Sequence, residues 1–192
     1  LYPCFCTRKE TQSEIAAAGH APHEVPSGPD GILYPGTCRH LESTNRAERL
    51  AAGVPHALRL KTDEAARAAG PLSWFDHVRG EQSARPEIYG DVVLARKDTP
   101  TSYHLAVTVD DALQDISLVT RGEDLLEASH VHRLLQALLE LPVPEYHHHG
   151  LIMGPGGKRL AKRDASATLK HLREAGKTPT DVRTMAGFGD AR

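Results

Sequence analysis

Residues 91–124 read DVVLARKDTPTSYHLAVTVDDALQDISLVTRGED, and the reading of this stretch decides the fold. Three short apolar runs, Val92 to Leu94, Leu105 to Val109 and Ile116 to Val119, are each bounded by charged or turn-forming residues, so each is predicted as a strand. Tyr103, the Asp110-Asp111 pair and Arg121 then fall at strand ends. In open α/β sheets ligands bind where strands stop and loops begin, so polar groups there are well placed for chemistry. An ordinary sheet with solvated turns would give the same pattern.

Outward from that stretch, 123–141 carries apolar residues at helical spacing and ends at Pro142, which predicts a core helix. Tyr146-His-His-His149 runs into the apolar Leu151-Ile-Met153 and is read as the start of a strand, with at most one imidazole in a functional role. On the upstream side, His56 to Thr62 alternates like a strand, and Trp74 to Arg79 is expected to pair with it, with a turn at Arg79-Gly80. A domain boundary is expected near Gly90, giving units 1–90 and 91–192.

The 192 residues, 40% hydrophobic, suffice to bury a core. A net charge of −2 argues against a histone-like or tail-driven nucleic-acid binder, although a local basic face could still hold RNA. No apolar run reaches the roughly 20 residues of a membrane helix. The expectation is therefore a cytoplasmic protein. Three cysteines, an odd number, do not make a disulfide framework.

Those cysteines suggest a metal instead. Cys4 and Cys6 alternate along an extended run and share a side, while Pro35-Gly36 can fold Tyr34 and Cys38 back to one point. Structural zinc takes four ligands in near-tetrahedral geometry. Cys4, Cys6 and Cys38 offer three, and either Tyr34 or His40 the fourth. Three reduced cysteines packed as small hydrophobes are the bland alternative. Between the two half-sites, Thr7-Arg-Lys-Glu10 reads as a capping box opening a short helix to Ala18. Asn45 to Ala52 reads as another helix.

Near the C-terminus, Gly154-Pro-Gly-Gly157 precedes Lys158-Arg-Leu-Ala-Lys162-Arg163. A glycine hinge tipped with lysine suits a triphosphate, because the ammonium can close on phosphate oxygens after binding. A solvated basic turn has the same composition. Asp164 or Ser166 is expected to cap a helix reaching Ala175, and Pro179 to Met185 a further short one.

Taken together, these residues resemble the class I glutamyl-tRNA synthetase group, and within it the shortened glutamyl-Q tRNA(Asp) branch. Cys4-Phe-Cys6 with Tyr34-Pro-Gly-Thr-Cys38-Arg looks like that family's zinc knuckle, which implies Cys4, Cys6, Tyr34 and Cys38 as ligands and leaves His40 as the substitute. ARKDTPTSYHLAVTVDD and LVTRGEDL look like its glutamate-pocket segments, implying that Tyr103 and Arg121 contact the amino acid. A phenol can orient an ammonium and a guanidinium grips a carboxylate. Arg159-Leu160-Ala161-Lys162-Arg163 resembles the family's K-M-S-K-S loop, with Lys162 as the catalytic ATP-phosphate lysine. Arg159 and Ala161 depart from the usual Lys and Ser.

The fold this implies is α/β: the second half of a Rossmann-type nucleotide-binding domain with a zinc-bearing α+β insertion. The implied activity is ATP-dependent activation of glutamate and its transfer to queuosine in tRNA(Asp), with one zinc per chain and magnesium alongside ATP, in a monomer with no membrane partner. Nothing in the chain matches the family's H-I-G-H signature, so the chain alone is expected to be catalytically incomplete. An ordinary glutamyl-tRNA synthetase and an inactive zinc-stabilised RNA-binding module are the competing readings.

Overall fold

The computed structural model describes residues 1–17, 26–153 and 168–188. The first strand, β1 (Tyr2–Cys4), runs into a helix α1 (Arg8–Ala17) through the expected capping box: the Thr7 amide donates to Glu10 Oε2 at 2.6 Å, and the Glu10 amide to Thr7 Oγ1 at 3.1 Å. A small hairpin, β2 (Ser27–Gly28) and β3 (Gly31–Ile32), follows. It lies against the 3-10 turn Pro86–Tyr89 so closely that a Cβ on Gly28 would run into the Ile88 carbonyl, which leaves room only for glycine. Helix α2 (Ser43–Ala51) and strand β4 (Ala57–Arg59) complete the N-terminal part.

Strand β4 ends earlier than the alternation suggested, because Thr62 opens helix α3 (Thr62–Ala69), an element that the sequence reading did not identify. Strand β7 (Val93–Ala95) is the first of the three apolar runs and pairs antiparallel with β4, which pairs antiparallel with β1. The resulting three-stranded sheet β1-β4-β7 takes strands from both sides of Gly90.

The other sheet corrects one expectation. Strand β5 (Ser73–Asp76) does not pair with the 56–62 segment; it pairs antiparallel with β6 (Gly80–Ser83) across the predicted Arg79-Gly80 turn, where Gly80 has φ +72°. Its other neighbour is β9 (Glu145–His149), parallel, with Asp76 opposite Tyr146. The order β6-β5-β9-β8 is closed by β8 (Leu118–Gly122), so the sheet is mixed and the class α/β. The histidine run is thus a strand in its own right.

The second correction concerns Leu105 to Val109, which is helical, not a strand: α4 spans Tyr103–Leu113. Ser102 is its N-cap, accepting a hydrogen bond from the Leu105 amide at 3.4 Å. Leu105, Val109 and Ala112 then fall on one helical face, and Leu105 packs on the main core. That core joins Leu60, Val92 and Leu94 to Val131, Leu134 and Leu135 of helix α5 (Ala128–Leu138). Each of these side chains contributes about 1.5–3 kcal/mol by burial. Helix α5 is shorter than the predicted 123–141, since residues Glu123–Leu125 form a 3-10 turn instead.

By contacts the chain divides into two units. The first holds Leu1–Arg121 and Leu125–His148, and the second Gly122–Asp124 with His149–Arg192. In the second, Thr168 caps helix α6 (Leu169–Glu174), accepting from the His171 amide at 3.1 Å, while Asp164 and Ser166, the expected caps, lie outside the described residues. Helix α7 (Pro179–Met185) opens with a capping box of Thr178 and Asp181. The Arg159–Arg163 loop lies outside the described residues. Among the described residues no helix is long and apolar enough to cross a membrane.

Candidate functional site

Arg121, at the C-terminal end of β8, has a set of partners that are all neutral or shared. Its Nε donates to His148 Nε2 at 3.0 Å, Nη1 to His132 Nδ1 at 3.3 Å and Nη2 to Ser129 Oγ at 2.7 Å. The sheet and α5 bring these together: His148 comes from β9, Ser129 and His132 from the first turns of α5. Among the described residues no carboxylate forms an ion pair with Arg121. A guanidinium has five N–H groups, so among the described residues one N–H on each terminal nitrogen is left for a ligand.

One carboxylate stands a single imidazole away. Asp76 Oδ2 is 2.5 Å from His148 Nδ1, and both residues are fully buried. Burial would raise the Asp76 carboxyl, but the bonds from His148 and from the Val78 and Arg79 amides hold it below the usual range. Burial holds the His148 imidazole low, with Arg121 adding to this and Asp76 opposing it. His132 is pushed down to about 2, first by burial and then by the charge on Arg121. The Asp111 carboxyl is raised by burial and pulled back by Arg121.

Tyr103 sits at the start of α4, half exposed, with its ring centroid 5.8 Å from that of His132. Tyr103 and Arg121, the two residues named from sequence for an amino-acid pocket, therefore both pack on His132. Asp76, Ser129, His132 and His148 were missed. Only the histidine run hinted at any of them; the others come from distant segments with no local signal. Lys162 and its neighbours lie outside the described residues.

The second cluster is built at the β1 end of the other sheet. The sulfurs of Cys4, Cys6 and Cys38 lie within 4.8 Å of one another, with Cys6 Sγ and Cys38 Sγ 3.3 Å apart. Tyr34 Oη is 3.5 Å from both Cys4 Sγ and Cys6 Sγ and accepts from the Cys38 amide at 2.8 Å. Tetrahedral zinc with Zn–S bonds near 2.3 Å needs ligand sulfurs about 3.8 Å apart, so these residues fit such an ion after small side-chain shifts. His40 packs over Gly36 instead, where a Cβ would meet its Nε2 at 3.5 Å. Burial pushes the Cys6 thiol up to about 11 and the Tyr34 phenol higher still. Cys38 is lowered because bonds from Tyr34, Cys6 and the Phe5 and Cys6 amides outweigh burial. Three thiols, soft once deprotonated, with one harder phenol oxygen make a donor set compatible with zinc.

Asp91 ties this knuckle to the core. It is nearly buried and accepts from Tyr2 Oη at 2.7 Å, Arg39 Nη1 at 3.1 Å and the Thr62 amide at 3.3 Å. Arg39, next to Cys38, also pairs with Asp63 at 2.8 Å and Glu64 at 3.0 Å at the start of α3. The cysteine loop is therefore held from three elements.

Residues 2–188 match the family model for tRNA synthetases class I (E and Q), catalytic domain. The chain is 47% identical over 193 residues to a glutamyl-Q tRNA(Asp) synthetase of Rhodobacter capsulatus, covering 98% of this chain and 67% of that protein. A glutamyl-Q tRNA(Asp) synthetase of Nocardia farcinica is 44% identical, covering 94% of this chain and 53% of its own length. The chain thus spans between about half and two thirds of these curated relatives. Among solved structures, a glutamate tRNA ligase of Elizabethkingia meningosepticum, in complex with its amino acid, superposes with a TM-score of 0.64 at 28% identity. That match covers 86% of this chain and 32% of the ligase. On the family match and these identities, the chain belongs to the class I tRNA synthetases for glutamate and glutamine, within their catalytic domain.

Proposed function

We propose that the full-length protein activates L-glutamate with ATP and transfers it to queuosine in tRNA(Asp). The observation that carries the substrate assignment is Arg121: among the described residues its side chain bonds neutral acceptors alone, with one N–H on each terminal nitrogen left for a carboxylate. Tyr103, beside it across His132, would orient the ammonium group. The 47% identity to a glutamyl-Q tRNA(Asp) synthetase supports this branch over an ordinary glutamate ligase, and the family match supports an enzyme over a passive RNA-binding module.

In activation, a carboxylate oxygen of glutamate attacks the α-phosphorus of ATP. One P–O bond forms, the α–β anhydride breaks and pyrophosphate leaves. Transfer then joins the glutamyl group to queuosine and releases AMP. Charge compensation and positioning supply the catalysis, so no covalent enzyme intermediate is needed. Lys162, in the Arg159–Arg163 loop, would neutralise the phosphates as pyrophosphate departs, with magnesium on the nucleotide. One zinc on Cys4, Cys6, Tyr34 and Cys38 would fix the knuckle, with 1–90 as the metal-bearing insertion and 91–192 as the catalytic half. We read the protein as a cytoplasmic monomer.

The test is charging of purified tRNAs by the full-length protein. Glutamate should attach to queuosine-containing tRNA(Asp) and not to tRNA(Glu), with Arg121→Lys raising the glutamate KM at least about 10-fold. Charging of tRNA(Glu) alone would move the assignment to an ordinary ligase.

A further inference from the structure

The hydrogen positions around Arg121 follow from one fact: arginine only donates, so each nitrogen that faces it must offer a lone pair. His148 meets Arg121 Nε through Nε2, so its hydrogen is on Nδ1, facing Asp76. His132 meets Arg121 Nη1 through Nδ1, so its hydrogen is on Nε2, facing His104 Nδ1 at 3.2 Å. His104 must accept that bond and therefore carries its own hydrogen on Nε2, 3.9 Å from Asp30 Oδ2. The guanidinium is flanked by two neutral imidazoles in opposite tautomers, each leading away to a carboxylate.

We infer that Asp76 with His148, and His104 with His132, are positioning pairs that hold the Arg121 fork open for a carboxylate ligand by fixing those tautomers. This rests on the reading that Arg121 binds glutamate. An aspartate in direct contact with Arg121 would compete with the ligand carboxylate for the fork. An imidazole acceptor fixes the orientation and leaves the positive charge available. Burial of His148, His132 and Asp76 keeps water from offering another hydrogen-bonding arrangement. Ser129, whose Oγ is 3.3 Å from His148 Nε2, closes the same ring of acceptors.

Asp76→Asn tests this with little change of shape. The amide oxygen can keep the bonds from the Val78 and Arg79 amides, at 2.8 and 3.0 Å, while the new NH2 donates to His148 Nδ1. That forces the His148 hydrogen onto Nε2, against the Arg121 Nε–H, and misorients the fork. In histidine 15N spectra of the full-length protein, His148 should switch from the Nδ1–H to the Nε2–H form. Calorimetric L-glutamate affinity should fall about 10- to 100-fold. As an independent pair, His132→Asn, whose oxygen can stand in for Nδ1, should keep affinity within about threefold, and His132→Leu should lose it. Thermal melts followed through Trp74 would establish that each variant is folded.

Normal affinity in Asp76→Asn, with Arg121→Lys impaired, would overturn the positioning inference alone. So would equal affinities for the two His132 variants. Normal affinity in Arg121→Lys would instead overturn the reading of Arg121 as the ligand and, with it, the purpose given to these pairs.

Discussion

Lowering the pH from 7.5 to 5.5 should destabilise this protein through its buried imidazoles. His104, His130, His132 and His148 all titrate below their ordinary 6.5, in each case first because burial disfavours the cation. In the unfolded chain they recover that ordinary value. The unfolded state therefore binds more protons below pH 6.5, and stability is lost as pH falls through that value. A histidine that stays neutral when folded forfeits about 1.4 kcal/mol over this interval. His132, pushed to about 2, contributes all of that. Four such groups give an upper limit of about 5.5 kcal/mol, comparable to the stability of a small domain. Glu127 beside His130 and Asp76 beside His148 favour the charged forms and reduce those two shares. The Asp76 carboxyl is lowered from its ordinary range and acts below the histidine window, whereas Asp111 is raised by burial and opposes the histidines, since protonating it as pH falls relieves the cost of its burial. Urea unfolding at pH 7.5, 6.5 and 5.5 reads the effect through Trp74, the one tryptophan of the chain, which is buried beside His130. His132→Asn should remove about 1.4 kcal/mol of the pH dependence, and this difference cancels any proton uptake at the cysteines. Equal stability at pH 7.5 and 5.5, or the same dependence in the variant, would refute the reasoning.

Two other outcomes are expected. Protein purified without chelator should carry about one zinc per chain by elemental analysis; Cys38→Ser should abolish it, Tyr34→Phe should weaken retention about 10- to 100-fold, and His40→Ala should leave it unchanged. No metal in the wild type would return the cysteines to simple packing. Asp91→Ala should cost about 3–5 kcal/mol in denaturant unfolding, since it strands the buried Tyr2 hydroxyl and removes a charge partner from Arg39; a loss below about 1 kcal/mol would show that the network is dispensable.

What could be read from sequence follows the range of the signal. The Thr7–Glu10 capping box and the Arg79-Gly80 turn are set by near neighbours and appear as expected. The convergence of Cys4, Cys6, Tyr34 and Cys38 was legible because only a few chemistries combine those residues. Leu105 to Val109 failed because a short apolar run has the same pattern in a strand and in a half-buried helix, and the deciding feature was the Ser102 cap. The partner of Trp74 to Arg79 was misread because parallel pairing with β9 leaves no local trace. The histidines around Arg121 were invisible as a group for the same reason, as their meaning lies in Asp76 and Arg121, far off in the chain.

The Asp76–His148 bond joins residues 72 positions apart, and Arg79 donates to the His148 carbonyl across 69. Closing so long a loop is entropically unfavourable until the sheet that it completes has formed. Such non-local pairing is slow compared with forming α4 or α5. The set of acceptors around Arg121 is therefore completed late in folding, after helix α5, which carries two of them. Until β9 docks, Arg121 lacks its His148 acceptor, so competence to hold the amino acid is completed only with the last strand.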